Sequence, residues 1–171
     1  GSGFKDIFTL TTASLAVKIN ALFRGWKHRS KSITKLAFGG YNKKFKPART
    51  ENDWLSANAE NVDAYEADPL CGFTFTNNGY AVLFEIIKQA CSHKTIAAVP
   101  KELPVYFVAG QDDPVGNYGK GVRKAYDKFV KAGVKDVNIT LYEHSRHEIL
   151  NDDCKEKVCE DVLNFIESHI N

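Results

Sequence analysis

The sequence predicts an α/β protein, with a mainly helical part over residues 1–75 and a βαβα parallel-sheet unit within residues 76–171. Three observations carry this. Val105–Ala109 is an unbroken apolar run of β-branched and aromatic residues, the pattern of a strand covered on both faces. Val137, Ile139 and Leu141 alternate with Asn138, Thr140 and Tyr142, the pattern of a strand with one wetter face near a sheet edge. Between and after these strands lie two stretches of helical apolar periodicity.

Taken in order, "ASLAVKINALF" (residues 13–23) sets Leu15, Ile19, Leu22 and Phe23 on one helical stripe. A short helix is expected over residues 32–38, stopped by Gly39 and Gly40, and "NKKFKPART" reads as loop. "ENVDAYEAD" allows two helical turns before Asp68-Pro69. In "YAVLFEIIKQA", Leu83, Ile86, Ile87 and Ala90 share a face. Residues 116–133 hold a helix with Val122, Ala125, Tyr126, Phe129 and Val130 on one side and Gly133 as its stop. The last helix begins around residues 152–155 and is expected to bury Val158, Val162, Phe165, Ile166 and Ile170. Asp152 and Asp153 read as carboxylates favouring the N-terminus of that helix.

With 43% hydrophobic and 26% charged residues, the chain has the composition of a globular domain with a true core. No apolar run approaches the ~20 residues that span a bilayer, and the start lacks a secretory pattern. Cys71, Cys91, Cys154 and Cys159 form no C-x-x-C pair. Free thiols in a cytoplasmic setting are expected, with a Cys71–Cys91 bridge as the lesser alternative.

The net charge of +2 hides an asymmetry: residues 7–50 carry ten Lys/Arg and no carboxylate, whereas residues 51–171 carry 12 Lys/Arg against 20 Asp/Glu. Aromatics (Phe23, Trp26, Phe38, Tyr41, Phe45) are interleaved with these cations. Residues 18–49 therefore read either as a solvated surface or as a docking surface for an anionic membrane, which would make the protein membrane-peripheral; a nucleic-acid patch is the weakest reading. Trp54, Phe73 and Phe75 read as interior packing rather than substrate contacts.

A strand–helix–strand crossover makes the two strands parallel, so the loops that follow them open on the same sheet edge. That carboxyl edge is where open α/β sheets bind ligands. The first loop, "GQDDPVGNYG", offers Asp112 and Asp113; the second, "EHSRHEILND", offers His144 and His147. An ionised Asp that accepts from an imidazole Nδ1–H fixes its tautomer and stabilises the imidazolium formed when Nε2 takes a proton. His144, His147 and Glu148 match no common zinc spacing, and no metal or organic cofactor is expected. "GNYGKG" is not a phosphate loop, because Gly121 follows Lys120 where Ser or Thr is needed.

Asp then His, each after successive strands, is the order at the end of an α/β-hydrolase. "LPVYFVAGQDDPVGNYGKGV" and "ITLYEHSRHEILND" closely resemble the C-terminal signature of bacterial lysophospholipase and monoacylglycerol-lipase-like serine hydrolases, the serine-aminopeptidase type. "FGGYNKKFKPART", "NDWLS" and "DPLCGFTFT" resemble the helical lid of the same group. The resemblance implies a lid over residues 1–75 and the C-terminal part of the hydrolase core over residues 76–171. It implies Asp113, three residues after Gly110, as the acid and His147 as the catalytic histidine. It also implies an apolar acyl or lipid substrate.

Such hydrolases carry their nucleophile in G-x-S-x-G. No serine or cysteine of this chain has glycines at both −2 and +2, and there is no methionine. The expectation is a lid and C-terminal half, inactive alone, whose nucleophile and oxyanion donors belong to a missing N-terminal half. The opening "GSG" resembles the residues that follow the strand preceding the lid. Two alternatives stay open: a non-catalytic fragment that binds a partner chain or an anionic membrane, and a serine peptidase of the same fold.

Overall fold

The structure, a computed structural model, describes residues 4–170; the GSG start and Asn171 lie outside the described residues. Helix α1 (Ile7–Arg24) begins at Asp6, whose carboxylate accepts from the Thr9 N–H at 3.1 Å, and ends at Gly25. Helix α2 (Lys31–Phe38) is capped by Ser30, α3 (Ala59–Ala67) by Asn58, and α4 (Asn77–Ala90) by Thr76. The stretch expected as loop contains one 3-10 turn, Tyr41–Lys44. A five-residue helix, α5 (His93–Ala97), follows α4 and is capped by Ser92.

Helices α1 and α4 pack on each other, and Leu10, Val17, Ile33, Tyr80 and Phe84 form their shared core. The stripe expected from the sequence is not the buried one. Leu15, Ile19, Leu22 and Phe23 are exposed, while Leu10, Val17 and Ala21 face inward with Ala13 and Ala16 beside them. The bulky rings of α4 need small partners opposite them for the two helices to approach, so the alanine side of α1 is the packed side. On α4, Leu83 and Ile87 join the core but Ile86 is exposed. Asn77 ties the ends of the pair: its side chain donates to Asn20 Oδ1 and to the Gly25 carbonyl at 3.0 and 2.9 Å. The boundary expected at residue 75 falls just before α4, whose packing partner is α1.

Strand β1 (Val105–Gly110), helix α6 (Lys120–Lys131), strand β2 (Val137–Tyr142) and helix α7 (Lys155–Ile170) form the βαβα unit. The strands are parallel and in register from Val105 opposite Val137 to Gly110 opposite Tyr142. Phe107 meets Phe129 of α6 edge-to-face, and Tyr106 packs on Phe165 of α7, so each face of β1 carries a helix. Residues 105–108 are nonetheless only half-buried, because β2 is the one strand beside β1 among the described residues. Tyr142, Ile149 and Val158 form a second core beneath α7. At the far end, His169 Nε2 meets Asp136 Oδ2 at 2.6 Å and closes α7 onto the entry to β2.

The helical part meets this unit at several places. The Phe4 N–H donates to the Gly121 carbonyl at 2.9 Å. The Lys44 ammonium sits 3.6 Å from the centre of the Tyr118 ring. Residues 53–58 lie along the loop that follows β2. All four cysteines are free thiols. Among the described residues no helix is long and apolar enough to cross a membrane.

Candidate active site

Parallel pairing brings both loops to one rim. The Gln111 N–H donates to the Tyr142 carbonyl at 2.8 Å, and the Asp112 N–H to the Ser145 carbonyl at 2.9 Å, so the two loops are joined by backbone as they leave the sheet. Gly110 makes this approach feasible: a Cβ there would lie 2.1 Å from the Arg146 carbonyl oxygen and 2.3 Å from that of Ser145. Any side chain at position 110 would force the second loop off the strand end.

Asp113 is fully buried, and its two oxygens have different partners. Oδ1 accepts from the Val115 N–H at 2.7 Å, closing a turn around Pro114. Oδ2 lies 3.0 Å from His147 Nδ1. One carboxylate thus both caps the turn at Pro114 and pairs with the histidine. Because an ionised carboxylate can only accept, Nδ1 carries the hydrogen of this contact. Asp112 is half-buried and joins the loops through its backbone.

His147 is partly exposed at 27% of its side chain, on a loop whose tight turn holds His144 at φ 59. His144 is exposed, and no group of three metal-ligating side chains forms among the described residues. Glu148 is half-buried; its N–H donates to the Leu55 carbonyl at 2.8 Å and its carboxylate accepts from Asn151.

Trp54 meets the imidazole directly, with ring centres 5.2 Å apart. It also contacts Tyr41 at 5.0 Å and stacks on Phe38 at 6.4 Å, and Phe38 leads to Tyr80 at 6.2 Å. The expectation of interior packing for Trp54 describes one side of its ring; the other side is a wall of the histidine. No local pattern announces this, because Trp54 and His147 are far apart in sequence. Asp113 also makes itself felt nearby. Burial lowers the Lys5 ammonium against the opposing pull of Asp113, and burial together with Asp113 raises the Tyr41 phenol.

Asp152 is the other residue the sequence reading placed differently. It is 1% exposed, and its carboxylate reaches Ser56, Ala57, Asn58 and Arg146 rather than the first turn of α7. Asp153 accepts from the Asn58 side chain at 2.9 Å. A run of acceptors just before a helix looks the same in sequence whether they serve that helix or a distant loop.

Several solved structures share this architecture. A highly thermostable carboxyl esterase from Bacillus coagulans, solved in complex with glycerol, superposes with TM-score 0.88 at 27% identity, over 99% of this chain and 55% of its own. A lipase in an open form superposes with TM-score 0.72 at 20% identity, over 96% of this chain and 51% of its own. A monoacylglycerol lipase from Paleococcus ferrophilus gives TM-score 0.57 at 19% identity, over 94% and 65%. The chain therefore spans between about half and two thirds of the length of these proteins. No curated protein sequence matches it. Residues 6–154 match the family described as serine aminopeptidase, S33 (Hydrolase_4), and the chain belongs to that family of α/β-hydrolases.

Proposed function

We propose that this chain supplies the lid and the acid–base pair of a serine hydrolase that cleaves carboxylic esters of lipid-like substrates. The single observation that supports this most is the 3.0 Å contact between His147 Nδ1 and Oδ2 of the fully buried Asp113. In this reading Nε2 of His147 takes the hydroxyl proton of a serine as its oxygen attacks the ester carbonyl. The imidazolium, stabilised by Asp113, then returns that proton to the leaving alcohol oxygen as the acyl–oxygen bond breaks. A water repeats the cycle on the acyl-enzyme and releases the acid. The serine and the oxyanion donors come from a polypeptide outside these 171 residues, since no serine or cysteine here stands in G-x-S-x-G. The 27% identity to a carboxyl esterase favours esters over amides.

The test is co-expression with an N-terminal half that bears the G-x-S-x-G serine, followed by assay on a short-chain p-nitrophenyl ester. Hydrolysis that depends on both halves is expected. An active assembly that keeps full rate with His147→Ala would sink the assignment.

The exposure of Leu22 (82%) and Phe23 (78%) beside Arg24 and Lys27 favours a second, compatible reading: residues 18–49 contact an anionic membrane surface. Co-sedimentation with phosphatidylserine vesicles, lost in high salt and absent with neutral vesicles, is the expected result. Equal sedimentation with both vesicle types would refute electrostatic docking.

A further inference from the structure

His147 lies between two residues that are both held to the lid. Before it, the Arg146 N–H donates to Asp152 Oδ2 at 2.9 Å. The Arg146 guanidinium donates to the carbonyls of Asp53 and of Ser56, the latter at 2.9 Å, and lies 4.1 Å from the centre of the Phe45 ring. After it, the Glu148 N–H donates to the Leu55 carbonyl at 2.8 Å.

Asp152 is the hub of this arrangement. It accepts from Ser56 Oγ at 2.9 Å, from the N–H groups of Ala57 and Asn58 at 3.1 and 3.2 Å, and from the Asp153 N–H at 3.1 Å, in addition to Arg146. Burial acts to raise this carboxyl. The N–H groups of Arg146 and Ala57, the Ser56 hydroxyl and the Asp153 N–H outweigh it and hold the group below the usual carboxylate range. An anion surrounded by donors from two distant segments fixes those segments to each other, because withdrawing it would leave buried N–H groups unpaired.

On the reading that Asp113 and His147 are the acid–base pair, we infer that Asp152 is a positioning residue for His147: it locks residues 146–148 onto lid segment 53–58 and so holds the imidazole between Asp113 and Trp54. Asp152 has no contact with the reacting atoms in this scheme; it acts through the Arg146 backbone. The lid segment 53–58 and the histidine then move as one body, and lid motion is confined to elements outside that segment.

The inference is tested on the chain itself by proton NMR, with no need for a nucleophile or turnover. The wild type is expected to show a downfield His147 Nδ1–H resonance that Asp113→Asn removes. Asp152→Asn keeps the volume but replaces one acceptor oxygen with a donor that faces donors. It is expected to speed exchange of that proton with water about tenfold or more at a temperature where circular dichroism shows the protein folded. A folded Asp152→Asn protein with unchanged exchange overturns the inference and leaves the pair intact. Should Asp152→Asn not fold, Ser56→Ala removes one of the donors to Asp152, together with an acceptor for the Asn58 N–H, and is expected to speed the same exchange severalfold; no change there also overturns it. A wild type lacking any resonance sensitive to Asp113→Asn overturns the pairing on which both readings rest.

Discussion

The helix pair α1–α4 and the rim hold themselves together by different means. Between α1, α2 and α4, Leu10, Val17, Ile33, Tyr80 and Phe84 bury apolar surface, and the start of each of these helices is satisfied by a residue within three positions of it. At the rim, the buried side chains include Asp113 and Asp152, and each joins a near neighbour in the chain to a group brought in from afar. Apolar packing tolerates small adjustments, because its energy follows area. A buried carboxylate with several donors does not, because each lost donor leaves an unpaired polar group. The helix core is therefore expected to respond to substitution gradually and the rim in a more all-or-none manner.

The largest expected effect is at the rim. In the proposed assembled hydrolase, His147→Ala should lower kcat/KM by about 10^4-fold and also lower the melting temperature, because Oδ2 of the fully buried Asp113 loses its donor. Kinetics and a thermal scan on the same preparation separate the two. In the helix core, Tyr80→Ala removes a ring that is 1% exposed and contacts both Phe38 and Phe84; a loss of about 4 kcal/mol in urea unfolding is expected. Gly110→Ala asks the second loop to leave the strand end and should cost about 3 kcal/mol. If Gly110→Ala proved as mild as an exposed substitution, the contrast between the two regions would fail.

Acid provides a subtler comparison. Asp152 and Asp53 are both held below the usual carboxylate range despite burial: Asp152 by backbone N–H groups and Ser56, Asp53 by the Thr50 hydroxyl with the Arg49 and Thr50 N–H groups. A carboxyl lowered in the folded state stabilises the fold above its unfolded value of about 3.9, and that contribution is lost as pH falls through the folded value. Stability should thus fall off below about pH 4, and Asp152→Asn should flatten that fall. His169 has the opposite sign. The Phe165 carbonyl and Asp136 raise it, so its contribution is present below about pH 6.5 and is lost as pH rises through the folded value. Urea midpoints across this range, with His169→Gln as control, check the direction. The smallest effect on stability belongs to the exposed stripe. Leu22→Ser should change it by under about 0.5 kcal/mol, while reducing any binding to anionic vesicles.

The contrast also explains what was legible in the sequence. Strands β1 and β2, and the meeting of the two loops that follow them, come from an apolar run, an alternating run and a crossover between them; the resemblance to the family singled out Asp113 over Asp112 and His147 over His144. The inward side of α1 was not legible. Both sides of that helix are apolar, and the choice between Leu15–Phe23 and Leu10–Ala21 is made by the rings of α4, which lie about 60 residues away. The role of Asp152 was hidden for a related reason, since its donors at residues 56–58 carry no sign in the sequence that they will arrive there. Helix α5 is too short for periodicity to reveal it.

The contact of Trp54 with His147 gives the protein its own optical reporter. A cationic imidazole against an indole withdraws electron density from the excited ring and dims its emission. The other tryptophan, Trp26, is removable by Trp26→Phe. In that background, fluorescence would report the contact of one indole with one imidazole, and so the seating of the loop that carries His147, without label or substrate.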